Sequence, residues 1–231
     1  MKVLNLTLNK KSGTEPLSFS VRRMVNAGFV GRDREAVRRH IEELKKEGVP
    51  VPEEVPTLYP VASYLITTGD VLEVVDESTS GEAEFALLLE GGKIYVGAGS
   101  DHTDRDLEAS SIIKAKQICP NVISSVVWPY EEVKQVWDAL VLRSWVERGG
   151  QRILYQQTKL ASIMSAEDII SFVRSKVKDG DLDGTVIYSG TVSALGGKII
   201  YGEGFEVELH NSQTNDSLWC RYKVRLLDYL K

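Results

Sequence analysis

The chain has 231 residues, 42% of them hydrophobic and 26% charged, which is the composition of a folded domain with a core and not of a disordered tail. Its formal net charge of −5 lacks the broad basic surface that a phosphate backbone needs, so nucleic acid is excluded as an expected partner. No apolar run nears the ~20 residues of a membrane helix, and residues 1–8 alternate where a signal peptide would run apolar; with only Cys119 and Cys220, read as reduced thiols, the expectation is a cytoplasmic protein with no membrane partner.

Residues 2–8 alternate apolar and polar and predict a strand. A helix is predicted over residues 33–47, with Asp33 as its N-cap and Gly48 beyond its end. On the helical wheel Ala36, Val37, His40, Ile41 and Leu44 share one arc, so His40 turns toward the apolar side. Glu43 sits at the edge of that arc, one turn from His40. The proline-spaced stretch 49–56 cannot continue a helix and reads as an extended connector. It divides the chain into an N-terminal segment, 1–55, and a main body, 56–231.

From Tyr64 onward strands dominate. Residues 82–89 and 93–97 predict a hairpin turning on Gly91-Gly92, and residues 140–146 and 153–157 a second one around Gly149-Gly150. Ser165-Ala166-Glu167-Asp168 resembles a capping box, opening a helix that carries Ile169, Ile170, Phe172, Val173 and Val177 and stops near Gly180. The C-terminal part reads as strands joined by glycine-rich turns. The fold class is therefore α+β, rich in sheet, with few helices.

Glu82 and Glu84 are two residues apart in a strand, so both project from one face, roughly 6–7 Å apart. Two carboxylates that close repel each other unless a proton or cation lies between them. The same spacing is also common on the wet face of an antiparallel strand. The segment Gly97-Ala98-Gly99-Ser100-Asp101-His102-Thr103-Asp104-Arg105-Asp106 returns beside the pair. A third carboxylate from it would complete an all-oxygen set for a hard cation (Mg²⁺, Mn²⁺ or Ca²⁺) with coordination positions left open. A polar loop whose Asp and Thr cap the next helix fits the spacing equally well. His102 reads as structural, and three histidines with two scattered cysteines do not make a zinc site.

Taken in order, these segments resemble the fumarylacetoacetate hydrolase superfamily, and within it a bacterial branch, DUF2848. Val30-Gly31-Arg32-Asp33, followed by His40-Ile41-Glu42-Glu43-Leu44, resembles its N-terminal "VGxN…HxxE" segment, and Pro56-Thr57-Leu58-Tyr59 its "PxLF" strand. Gly81-Glu82-Ala83-Glu84 resembles its metal-binding E-x-E. The run from Ser100 through Asp101, Arg105 and Asp106 to Glu108 resembles "NDxSARDxQ". Ala115-Lys116 resembles its lysine motif, and Gly180-Asp181 with Ser189-Gly190-Thr191 its "GD…TGT" turn. The likeness runs from about residue 28 to about residue 209.

The resemblance implies a fold of mixed β-sheets with an N-terminal strand and lid-like helix ahead of a catalytic core. It implies a divalent metal on Glu82, Glu84 and Asp101. Arg105 and Lys116 would face the substrate, and Thr191 would close the far side of the pocket. His40 and Glu43 match a dyad that orients and deprotonates water. The implied activity is hydrolysis of a carbon–carbon bond in a small 1,3-dicarbonyl or keto-acid carboxylate. Decarboxylation of a β-keto acid or tautomerisation on the same site is the nearest alternative, and a non-catalytic binding protein on this scaffold is a third. A homodimer is implied by resemblance alone.

The sequence departs from the family pattern in four places. About three extra residues separate Asp33 from His40, Tyr59-Pro60-Val61 stands where the family carries a lysine, Glu108 replaces a glutamine, and the loop before Lys116 is short. Arg22, Arg23, Arg32, Arg34, Arg38 and Arg39 read as solvated surface offset by neighbouring glutamates, and the four tryptophans as packing residues.

Overall fold

Alternation along the first strand extends further than the sequence predicts, because the chain folds back on it. The computed structural model describes residues 1–46, 51–52 and 54–230, apart from the side chains of His40, Glu43 and Leu44. β1 (Lys2–Lys10) and β2 (Gly13–Val21) form an antiparallel hairpin, followed by β3 (Arg23–Gly28) and α1 (Arg34–Lys46). The chain continues through β4 (Thr57–Val61), β5 (Ile66–Thr67), β6 (Val71–Val74) and β7 (Thr79–Ser80). A central hairpin, β8 (Ala83–Glu90) with β9 (Lys93–Asp101), leads through β10 (Thr103–Asp104) into the short helices α2 (Arg105–Glu108) and α3 (Ile112–Ala115). After β11 (Asn121–Ile123), β12 (Val126–Pro129) and α4 (Tyr130–Val133) comes a second hairpin, β13 (Val141–Arg148) with β14 (Gln151–Lys159). The described chain ends with α5 (Ala166–Lys176), β15 (Thr185–Tyr188), β16 (Gly204–Asn211) and β17 (Asp216–Leu226).

Ten strands form one mixed sheet in the order β2-β1-β12-β9-β8-β15-β3-β4, with β11 pairing β9 and β5 off that path. A five-stranded sheet runs β14-β13-β16-β17-β6. The larger core fills the space between the sheets, joining Phe85, Leu87 and Val96 to Leu142, Val207 and Leu218 and to the inner face of α5. The smaller core gathers buried side chains from all ten strands of the large sheet, including Leu6, Phe19, Met24, Ile66, Leu88 and Tyr188. One face of a sheet can bring all its strands into one cluster only by curling around it, so the large sheet forms a cup with an apolar interior.

β8 is buried on both faces, Phe85 and Leu87 facing the inter-sheet core and Ala86 and Leu88 the cup. This explains why residues 85–89 read as a continuous apolar run where a half-exposed strand would alternate. Both turn glycines, Gly91 (φ +56°) and Gly92 (φ +73°), adopt the left-handed conformation of a tight hairpin turn.

Both predicted helices form. Asp33 accepts the backbone N–H groups of Glu35 and Ala36 at 3.0 Å, as an N-cap does. Ile41 is buried and Val37 half-buried, whereas Ala36 is exposed, so the apolar arc of α1 is narrower on the body than the wheel suggests. At α5 the Ser165 hydroxyl accepts the Asp168 N–H (3.1 Å) and donates to the Asp168 carboxylate (2.7 Å). That is half of a capping box, because the shorter Asp bonds the hydroxyl of Ser165.

Gly99 lies where the Tyr188 ring crosses β9; a Cβ at this position would fall 2.7 Å from Tyr188 Cε1. Tyr188 is fully buried and its hydroxyl donates to Val122 O at 3.0 Å, so the ring cannot swing away. Gly99→Ala is expected to cost about 1–3 kcal/mol through overpacking. At roughly 2–4 °C per kcal/mol for a chain of this size, the melting temperature should drop by several degrees, measured by calorimetry.

Candidate metal centre

The hairpin register decides where the carboxylates meet. Ala83 pairs with Ser100 and Glu84 with Gly99, and the Asp101 N–H donates to Glu82 O at 3.2 Å, so Asp101 lies across from Glu82. By strand parity Glu84 shares the face of Ala86, and Asp101 that of Tyr95, which is the cup side of the sheet. One oxygen from each of Glu82, Glu84 and Asp101 lies within 4.8 Å of the others. Of the two readings that spacing left open, the loop takes both parts: Asp101 joins the glutamates, while Asp104 caps α2 by accepting the Leu107 N–H at 2.9 Å.

Two cations reach the cluster from the segment after β9. Lys116, just beyond α3, hydrogen-bonds Asp101 and lies 3.6 Å from Glu82 Oε2, with the Tyr59 ring 5.8 Å below its ammonium. Arg105, opening α2, donates from Nη1 to Glu82 (3.0 Å) and to Glu108 (2.7 Å), and from Nε to the Ser80 hydroxyl (2.7 Å). Among the described residues Glu84 has no cation within salt-bridge range; its Oε2 accepts the Gly190 N–H at 2.8 Å. That donor depends on a left-handed glycine at φ +82°, whose Cβ would meet Ala27 O at 2.8 Å.

Burial sets the protonation. It pushes Glu84 well above the usual carboxylate range, and the charge of Asp101 adds to the rise. Burial raises Asp101 too, although the Lys116 ammonium holds it partly down. For Glu82 burial works upward, but Arg105 and Lys116 outweigh it and hold the carboxyl below its ordinary value. His102 is pushed down to about 3 by burial and then by Arg105, so its ring is neutral, with Nδ1 2.9 Å from the Tyr222 hydroxyl. Its Nε2 is buried without a hydrogen-bond partner among the described residues, and the ring lies outside the carboxylate group.

Several groups around the cluster carry no sequence signal. Gln156, in the second hairpin, accepts the Ala83 N–H (3.0 Å) and donates to the Thr191 hydroxyl (2.9 Å). Thr191 in turn donates to Ala83 O at 3.1 Å, so the pair anchors the strand between the two glutamates. Asn26 presses on Asp101 and helps hold its carboxyl down, and Asn121 lies directly across from Asp101 on β11. Among the described residues, the amides of Asn26 and Asn121 and the Oδ1 of Asp101 are buried with no hydrogen-bond partner.

The structure thus brings Glu82, Glu84, Asp101, Arg105 and Lys116 together and sets Thr191 against the strand that bears the glutamates. The side chains of His40 and Glu43 lie outside the described residues. An all-oxygen donor set, a carboxylate oxygen with no partner among the described residues and one carboxylate with no ion-pair partner among them fit a hard divalent ion such as Mg²⁺, Mn²⁺ or Ca²⁺.

The curled mixed sheet packed on a smaller one is the fold that the resemblance to the fumarylacetoacetate hydrolase superfamily implies. Residues 27–222 match a family described as a protein of unknown function, DUF2848, and the chain belongs to that family. No curated protein sequence matches it. Among solved structures it is similar to a 2-keto-3-deoxyarabinonate dehydratase, at 18% identity and TM-score 0.64 over 90% of this chain and 74% of that one. It is similar also to the protein titled Cg1458, at 14% identity and TM-score 0.62 over 97% of this chain and all of the other. At such identities the likeness establishes the fold. No helix among the described residues is long and apolar enough to cross a membrane.

Because the fold raises the pKa of Glu84, the folded metal-free protein holds that proton more tightly than the unfolded chain does. The contribution is full below the ordinary carboxyl value and is lost as pH rises through the folded value. Metal-free protein should therefore melt lower as pH rises through that range, and Mn²⁺, which needs the ionised form, should reverse the trend. Glu84→Gln should flatten the profile. It should also raise the metal-free melting temperature at pH 8, as scanning calorimetry across pH would read.

Proposed function

We propose that this protein is a divalent-metal-dependent hydrolase that cleaves a carbon–carbon bond in a small 1,3-dicarbonyl or keto-acid carboxylate. The observation that carries the reading is the buried three-carboxylate cluster with an ammonium, Lys116, in its midst. A structural calcium site has no use for a buried lysine among its ligands, whereas an enolate-forming site does. The keto acid in the name of the similar dehydratase supports the same substrate class.

Glu82, Glu84 and Asp101 would hold the metal, which supplies a Lewis acid for two substrate oxygens and lowers the energy of the enolate. Lys116 places a positive charge beside the carbon skeleton where negative charge develops. His40, oriented by Glu43, takes a proton from water, whose oxygen adds to the distal carbonyl carbon. The electron pair of the breaking carbon–carbon bond passes to the enolate, and the proton on His40 returns to that carbon. Gln156 and Thr191 keep the strand bearing both glutamates in register. A homodimer and a lid-like helix within the segment 1–55 belong to the same reading on the resemblance alone, and the cytoplasm on the two scattered cysteines of the sequence.

Decarboxylation of a β-keto acid, or tautomerisation, is the second reading, favoured by the position of Lys116 beside the carboxylates that would hold the metal, since decarboxylation needs those two and no activated water. His40→Ala separates them. It should lower hydrolysis of acylpyruvates by about 10²–10⁴-fold, while a decarboxylase would keep most of its rate.

Calorimetric titration of metal-stripped protein with Mn²⁺ tests the site itself. One ion per chain is expected, with affinity lost or weakened by about 100-fold in Glu84→Gln. Wild-type protein that binds no Mn²⁺ would leave a non-catalytic binding protein as the better account.

A further inference from the structure

The cations of the site are already committed to protein carboxylates. Arg105 shares Nη1 between Glu82 and Glu108, spends Nε on the Ser80 hydroxyl and turns Nη2 to Ser80 O at 3.5 Å, so the planar fork that would clamp a substrate carboxylate is engaged on all three of its nitrogens. Lys116 is engaged by Asp101 and Glu82. Four carboxylates, those of Glu82, Glu84, Asp101 and Glu108, face two cations. A divalent ion bound to the first three would bring the group to neutrality and leave no positive charge over.

Glu108 is the open end of this chain of charges. Its side chain is 26% exposed, against 14% for Glu82, 9% for Arg105, 7% for Lys116 and none for Asp101. A solute entering from solvent therefore meets a negative group first, with the cations behind it. The flanking segment reinforces the sign, since Asp104 and Asp106 lie on either side of Arg105.

We propose, resting on the keto-acid reading above, that Glu108 is a specificity-determining residue that makes this a site for monocarboxylates. The one substrate carboxylate belongs to the keto-acid head, which the metal satisfies. The tail that passes Glu108 is neutral and bears hydroxyl donors, which its carboxylate accepts. A second carboxylate on the tail would face Glu108, with Arg105 and Lys116 already engaged by protein carboxylates.

A matched pair of ligands isolates that charge: 2-oxopentanoate and 2-oxoglutarate share the 2-oxo-acid head and differ in the tail, which ends in a methyl group in one and a carboxylate in the other. Titrated calorimetrically into the Mn²⁺-loaded full-length chain, 2-oxopentanoate should bind at least about 10-fold tighter. In Glu108→Gln the gap should close by about 10-fold, through tighter binding of 2-oxoglutarate, with 2-oxopentanoate changed less than about 2-fold. Glu108→Asp keeps the charge and should keep the preference. A merely structural role for Glu108 would weaken both acids together in both variants.

Equal affinities in the wild type, a Gln variant that shifts both acids alike, or an Asp variant that loses the preference would each overturn the inference while leaving the keto-acid reading standing. Normal Mn²⁺ binding with no affinity for either acid would overturn that reading and this inference with it.

Discussion

The mutual repulsion of three carboxylates inside an apolar cup is the constraint around which this structure is arranged. Glu84 and Asp101 are almost wholly buried, and one oxygen of each lies within 4.8 Å of the other. In a medium of low polarity such a cluster is costly unless protons, cations or a metal divide the charge among them. The chain supplies part of the answer through Arg105 and Lys116, delivered by the two short helices that follow β9. Among the described residues it leaves Glu84 without an ion-pair partner and Asp101 with an oxygen that has no hydrogen-bond partner. That residual imbalance is what a divalent ion would relieve, and it is the physical basis for reading the cluster as a functional site and not as a set of structural ion pairs.

Holding the cluster in place takes strands far apart in the sequence. The C-terminal strand β17 brings the Tyr222 hydroxyl to Ser100 (2.8 Å) and to His102 (2.9 Å), bracing the residues on either side of Asp101. Gln156 ties the second hairpin to Ala83, between the two glutamates. On the cup side, β3 contributes Asn26 and β11 contributes Asn121. Glycines at 99 and 190 let a tyrosine ring and a backbone carbonyl approach more closely than any side chain would allow.

Features that invite functional readings elsewhere are absorbed by the fold. Arg22, Arg23 and Arg32 pair with Asp181, Asp179 and Asp138, so these three N-terminal arginines are neutralised at the surface. Both cysteines are free and buried, and burial pushes the Cys119 thiol up to about 12, where it is inert as a nucleophile. Trp137 packs edge-on against Phe85 and Tyr130 in the core. Trp145 and Trp219 stack on the outer face of the five-stranded sheet, each under an arginine, Arg152 at 3.7 Å and Arg221 at 3.8 Å.

The sequence by itself determined what depends on near neighbours. Period-2 alternation, paired turn glycines and an Asp or Ser N-cap suffice for β1, both hairpins and both longer helices, because a few adjacent residues set each of these. The metal triad was legible for the same reason: two glutamates two apart on a strand, and an aspartate returned beside them by a hairpin with a two-glycine turn. Only the tertiary structure decided the partner strand β2, the closure of β11 onto β5, and the roles of Asn26, Asn121 and Gln156. A polar residue in a strand has the same local pattern whether it faces water or a buried carboxylate. Curling the large sheet into a cup chose between those two environments, and that closure depends on contacts more than a hundred residues apart, to which no local periodicity is sensitive.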